Sequence, residues 1–309
     1  MNRLQADLLL LLTAFIWGTT FVAQKEAVAL LGPLSFVGVR FAFAALLLAP
    51  FAWFEASRAG APPSRRDLLG SLLVGLVLCL GCWMQQVALE TTTAGNAGFL
   101  TAVYIVIVPL VSWAFTGQRP RRVVLVATLL AICGAWLLTG GGSLSSWTRG
   151  DLIVLASDLV WASHINLVSH VSRSSSRPLL LATIQSAVTG LVTLPAALVL
   201  EPLDLAAVTA ALPSLLYASV LSSGLAYTLQ VIAQRHTPAA EAALIMSLEC
   251  VFAAIAGAIV LHEAFGPAQR IGAALILASV VLVEAGPILR RALPGAGAKL
   301  SEDRSAGSG

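Results

Sequence analysis

The sequence predicts an all-α membrane protein of ten transmembrane helices, built as two inverted-topology five-helix repeats with both termini in the cytoplasm. Three observations carry that expectation. Of the 309 residues, 58% are hydrophobic and only 11% are charged, whereas soluble domains carry about 25% charged residues. Apolar runs of bilayer-crossing length recur along the whole chain. The first half is echoed in the second at an offset of 144 to 145 residues.

Taken in order, the first five apolar runs cover about 4–31, 34–54, 68–89, 94–115 and 123–138. The second five cover about 151–170, 178–200, 212–234, 240–261 and 268–288. The connections are short, and the longest, 55–67, holds Pro62, Pro63, Arg65 and Arg66. Repeat boundaries follow at 1–145 and 146–288, and the polar, Gly- and Ser-containing segment 289–309 reads as a disordered cytoplasmic tail. The first run is span-length and is preceded by Asp7 rather than by a basic stretch, so it reads as an uncleaved first helix.

Basic residues set the orientation. With the N-terminus inside, fourteen of the eighteen Lys and Arg fall on the cytoplasmic side, among them Arg58, Arg65, Arg66, Arg119, Arg121 and Arg122. Lys25, Arg149 and Arg270 fall outside, and Arg40 lies within a span. That asymmetry predicts both termini inside.

The repeat is visible residue by residue. Pro33, Leu34, Ala42, Leu46, Pro50 and Ala52 meet identical residues 145 positions later. Thr13, Trp17, Thr20 and Gln24 lie at i, i+4, i+7 and i+11, along one face of a helix. At offset 144 Trp17 returns as Trp161, while Ser157 and His164 stand for Thr13 and Thr20. Five spans per copy is an odd number, so the second copy enters the membrane from the opposite face. Inverted repeats of this kind occur in many secondary transporters, whose substrates bind near the midplane between the repeats.

Polar stripes on apolar helices mark faces turned away from lipid. The second stripe is Ser219, Ser223, Tyr227, Gln230 and Gln234, with Trp83, Gln85 and Gln86 in the matching run of the first half. Tyr104, Asn96, Met246 and Glu249 add to the candidate cavity. The expected substrate-binding set is Trp17, Thr20, Gln24, Gln85, Gln86, Tyr104, Trp161, His164, Tyr227, Gln230 and Glu249. Indole and phenol rings stack on apolar or aromatic bodies, and amide and hydroxyl groups satisfy amino and carboxyl ends. His164 or Glu249 is placed to bind an amino group or relay a proton. Arg40 is expected to pair with Glu26 or with helix-end carbonyls. Lys25 and Glu26 are expected to snorkel at the outer mouth, and Trp53, Trp113 and Trp147 to form the interfacial belt.

Trp17-Gly18 followed by Phe21 and Lys25, then Arg40-Phe41, Leu261-His262-Glu263 and Gly272-Ala273-Ala274-Leu275, resemble the drug/metabolite transporter superfamily. The likeness is to its EamA-type ten-helix members and, among those, to YddG-like amino-acid exporters, and it covers roughly residues 5–286. One departure is Gln118 in the first half where the second has Glu263. The resemblance implies alternating access and export of neutral or aromatic amino acids or related small metabolites across a bacterial inner membrane. The alternative is a proton-coupled exporter of lipophilic cations. Such pumps need a carboxylate central to the first helix, where this chain has Thr13, Trp17 and Thr20.

Enzyme chemistry is not expected. His262-Glu263 lacks the second histidine of a zinc helix, and no GxSxG elbow occurs. Cys79, Cys82, Cys133 and Cys250 all lie in apolar runs, where they read as small packing residues rather than ligands. No cofactor, metal or nucleic-acid partner is expected, only a small-molecule substrate and the bilayer around a monomer.

Overall fold

The computed structural model describes residues 1–60, 62–117, 122–138, 147–202 and 204–292. Gln118, Arg119 and Arg121, and the tail beyond Ala292, lie outside the described residues. The described chain is all-helical. Eight helical segments are long and apolar enough to cross a membrane, from Arg3–Ala27 to Ala239–Val260. This is a multi-pass membrane protein.

Helices α1 (Arg3–Ala27), α2 (Pro33–Arg58) and α3 (Arg65–Ala88) are continuous. The next apolar run is divided into α4 (Ala94–Thr101) and α5 (Tyr104–Thr116), followed by α6 (Arg122–Leu138). The second half repeats this order with α7 (Arg149–Ser174) and α8 (Pro178–Leu200). A short α9 (Leu205–Ala210) leads into α10 (Leu212–Leu216), which continues as a π-helix, Tyr217–Ala226, and then as α11 (Tyr227–Gln234). Last come α12 (Ala239–Ser247), α13 (Glu249–Val260) and α14 (Pro267–Ala292), the last continuing past the boundary at 288.

Two antiparallel helix pairs frame the bundle. In the first, α2 lies on α8 with backbones in contact. A Cβ on Gly38 would fall 2.8 Å from the Leu194 backbone, and one on Gly190 would fall 2.7 Å from Ala42 N. Only glycine permits that approach at both crossings. In the second, α6 meets α14 through Gly134 and Gly272 in the same way.

Carboxylates close the ends of the first pair. Glu201 accepts from the backbone N–H groups of Leu34 and Ser35, at 2.9 and 2.8 Å. Glu55 accepts from those of Leu179 and Leu180, at 3.1 and 2.9 Å. Both α2 and α8 begin with proline after a residue that offers no side-chain cap. Each therefore takes its N-terminal anion from the far end of its partner, where the helix dipole favours negative charge.

The two divided helices tighten in matching ways. Val103 N donates to Leu100 O at 3.0 Å and Val106 N to Val103 O at 3.0 Å. Exactly 145 residues later, Leu248 N donates to Ile245 O at 3.3 Å and Val251 N to Leu248 O at 3.0 Å. These i→i+3 bonds wind one turn of each helix into 3₁₀ form, a geometry that often marks a hinge. A further matched pair ties α1 and α7 to loops: Thr237 Oγ1 donates to Asp7 at 3.1 Å, and Thr92 Oγ1 to Asp151 at 2.6 Å.

Candidate functional site

A narrow cavity of about 30 Å³ lies at the centre of the helices, room for a water or two. From α1 it is lined by Trp17, Thr20, Phe21 and Gln24, whose helical spacing puts them on one face. From α7 come Trp161, His164 and Ile165, and from α11 Tyr227 and Gln230. Arg40 of α2, Gln85 of α3 and Ser222 of the π-helix complete the wall, with Thr101 and Tyr104 from one divided helix and Glu249 from the other.

An aromatic chain crosses this space. The rings of Trp17 and Tyr227 are 4.7 Å apart between centroids. Those of His164 lie 6.0 Å from both Tyr227 and Trp161, edge to face. The two tryptophans are thus joined through Tyr227 and His164, in arrangements that aromatic quadrupoles favour. Between the rings, polar atoms stand without a protein partner among the described residues. They include the indole N–H groups of Trp17 and Trp161 and both amide atoms of Gln230. His164 Nε2 lies 3.2 Å from Gln185 Oε1.

Ten of the eleven residues expected from the sequence line the cavity. The exception is Gln86. It is fully buried, and its amide donates to Gln24 O at 3.1 Å, tying α3 to α1. Gln86 points about 100° round α3 from Gln85, toward the backbone of α1. Trp83 is 39% exposed on the outer surface rather than in the cavity. Met246 is buried in the core beside the site, and Asn96 does not reach it.

The second stripe needs correcting for the π-helix. Its spacing assumed 3.6 residues per turn, but residues 217–226 are wound in i→i+5 bonds, which widens each turn and rotates the face. Ser222 therefore faces the cavity, while Ser219 bonds Leu215 O at 2.6 Å and Ser223 is buried off the site. At the stripe's far end, Gln234 donates to Ile165 O at 3.1 Å and joins α11 to α7.

Arg40 departs furthest from expectation. It does not pair with Glu26, whose carboxylate accepts from Ser214 at 3.1 Å. Its guanidinium instead borders the cavity, 2% exposed, donating to Gln24 Oε1 at 3.1 Å. Phe21 and Ile165 were missed because apolar residues do not register as a polar stripe. They are nevertheless equivalents at the same offset of 144 as Trp17 and Trp161.

The model of the EamA-like transporter family matches the chain twice, over residues 4–140 and 148–285. The chain belongs to the EamA-like transporter family. Within the drug/metabolite transporter superfamily, an uncharacterised transporter of Archaeoglobus fulgidus is 35% identical over 284 residues, covering 91% of this chain and 86% of its own. The YwfM transporter of Bacillus subtilis is 25% identical, covering 91% and 94%. A chloroplastic WAT1-related protein of Arabidopsis thaliana is 26% identical, covering 87% and 67%. One solved crystal structure superposes with a TM-score of 0.70 over 94% of this chain and 99% of that one, at 17% identity, and shares the fold. The relatives named for an activity are transporters, and this EamA-type chain is a transporter rather than an enzyme.

Three residues of the family likeness, Lys25, His262 and Glu263, build the corner between α3 and α4. Lys25 donates to Leu89 O and Thr92 O, each at 2.7 Å, and places its charge on the carbonyl end of α3. Lys25 is thus held by these carbonyls rather than snorkelling freely. Glu263 accepts from Ala94 N and Gly95 N, each at 2.8 Å, and caps α4. It reaches there because His262 adopts a left-handed φ of 55°, which turns the chain back on the end of α13.

Proposed function

We propose that this EamA-type transporter exports neutral or aromatic amino acids, or closely related small metabolites, as the YddG-like exporters do. It works across a bacterial inner membrane by alternating access. In this reading the chain spans the bilayer ten times as two inverted five-helix repeats, 1–145 and 146–288, with both termini cytoplasmic. The ten cavity-lining residues expected from the sequence bind one substrate molecule at a site shared by the halves of a monomer. The observation that carries the reading is the aromatic chain from Trp17 through Tyr227 and His164 to Trp161, flanked by unpaired amide and indole groups. Apolar side chains stack on such walls while neutral hydrogen-bonding groups meet a zwitterion. The reciprocal caps and the matched 3₁₀ turns support the inverted repeat.

A second reading, export of lipophilic cations, is kept by Glu249, the one carboxylate among the described residues that line the cavity. Flux into proteoliposomes separates the two. Radiolabelled L-phenylalanine and L-leucine are compared with tetraphenylphosphonium, with and without an imposed pH gradient. Saturable amino-acid flux supports the first reading. Movement of the cation alone replaces it with the second.

A further inference from the structure

We propose that Arg40 is the anion-binding group of the cavity, and that the substrate carries a single carboxylate on an apolar or aromatic body. This rests on the transport reading above and specifies its ligand. The guanidinium has five N–H donors and no lone pair to accept with. Its protein partners are neutral: Gln24 Oε1 at 3.1 Å from Nη1 and Cys82 Sγ at 3.7 Å from Nη2. Nε, buried, has no hydrogen-bond partner among the described residues. The salt bridges found among those residues join Arg3 to Asp7 and to Glu241, so none reaches Arg40. Buried charges in membrane helices are ordinarily paired, and those that are not mark substrate paths.

The surroundings hold the group in place without neutralising it. Its central carbon lies 4.7 Å from the Phe41 ring centroid and 5.6 Å from that of Phe36, contacts that fix the guanidinium plane by cation–π attraction. Packing alone does not call for a charge here. The equivalent position in the second half is Gln185, a neutral amide that is fully buried on α8 and reaches the His164 ring of α7. Arg40 likewise reaches from α2 to Gln24 of α1, so the same architectural link is made with and without a cation.

Position and number then define the ligand. Among the described residues Arg40 is the only Lys or Arg lining the cavity, which matches one carboxylate and not a phosphate ester that takes several cations. Phe41 and Cys82, which flank the guanidinium, both touch Tyr227, at 5.8 Å between rings and 3.5 Å to the hydroxyl. A carboxylate seated on Arg40 therefore lays the rest of the molecule along Tyr227 and the two tryptophans.

The test is competition against radiolabelled L-phenylalanine flux in proteoliposomes of the full chain. The competitors, 3-phenylpropionate and 2-phenylethylamine, keep the ring and retain only the acid or only the amine. The acid is expected to compete at least about tenfold more strongly, the scale of a charge-assisted hydrogen bond. In Arg40→Gln that preference collapses, and Arg40→Lys restores part of it. If both variants fail to reach the membrane, the wild-type comparison decides alone. Equal competition by the amine leaves transport standing and overturns the carboxylate assignment. Absence of any labelled amino-acid flux overturns the transport reading and this inference with it.

Discussion

Tyr104 and Glu249 occupy the same position in the two halves of the chain. Each is the first residue of the second segment of a divided helix, each follows a 3₁₀ turn closed by identical bonds 145 residues apart, and each lines the cavity. One half thus offers a neutral phenol where the other offers a carboxyl group. The same inequality separates Arg40 from Gln185. These matched positions carry unmatched chemistry, which suits the proposed substrate with its acidic end and amino end.

Removing Glu249 should weaken amino-acid recognition through the amino end. Glu249→Gln is expected to raise the KM for L-phenylalanine about threefold, well below the margin assigned to Arg40, because a neutral acceptor remains in place. It should leave competition by 3-phenylpropionate nearly unchanged. Flux measurements on the variant check this, and an equal loss for both compounds would place Glu249 in the support of the fold.

Trp17→Ala and Trp161→Ala should each lower transport while leaving membrane abundance close to wild type, since both indoles face the cavity along part of their surface. Abundance is read on blots of isolated membranes and flux on the same preparations. A fall in abundance that accounts for the lost flux would make these rings packing residues.

Neighbouring glutamines should separate cleanly. Gln85→Ala is expected to impair flux with little change in thermal stability. Gln86→Ala, which removes one of two bonds to Gln24 O, the other coming from Val28 N at 3.1 Å, should cost about 0.5–1.5 kcal/mol of stability. Melting in detergent and flux together check the pair, and the reverse pattern would contradict the placement of the cavity face.

The reciprocal caps make a quantitative prediction. Glu55→Ala and Glu201→Ala should each destabilise the α2–α8 pair by about 1–2 kcal/mol, the upper range for a helix cap with a charged acceptor. Their sites sit at opposite ends of 26-residue and 23-residue helices, so the double variant should be close to additive. Denaturation midpoints of the three variants measure this. A neutral result at one end only would mean that the two ends are not equivalent.

Much of this arrangement was legible in the sequence because straight α-helices obey one period. The stripes of α1 and α7 lie on continuous helices, so spacing by three and four brought Trp17, Thr20, Gln24, Trp161 and His164 to one cavity. Where the winding changes, the same rule fails. The π-helix moved Ser222 into the site in place of Ser219 and Ser223, and no residue pattern announces i→i+5 bonding. Gln85 and Gln86 both read as cavity residues from their depth in the span, yet Gln86 turns to α1 and bonds its backbone. The sequence points Arg40 to Glu26 or to helix-end carbonyls, whereas the partner of a buried charge is set by which helices meet, here Gln24 of α1. The Glu263 cap was also invisible, since it depends on the left-handed turn at His262.

The central claim is one site reached in turn from both sides of the membrane, and sided labelling of a cavity cysteine tests it most directly. Ser222→Cys is made in a chain whose four native cysteines are replaced by serine, and a membrane-impermeant maleimide is applied to right-side-out and to inverted vesicles. The account predicts labelling from both faces, slowed in each case by saturating L-phenylalanine. Labelling from one face only, or at rates that L-phenylalanine leaves unchanged, would contradict it.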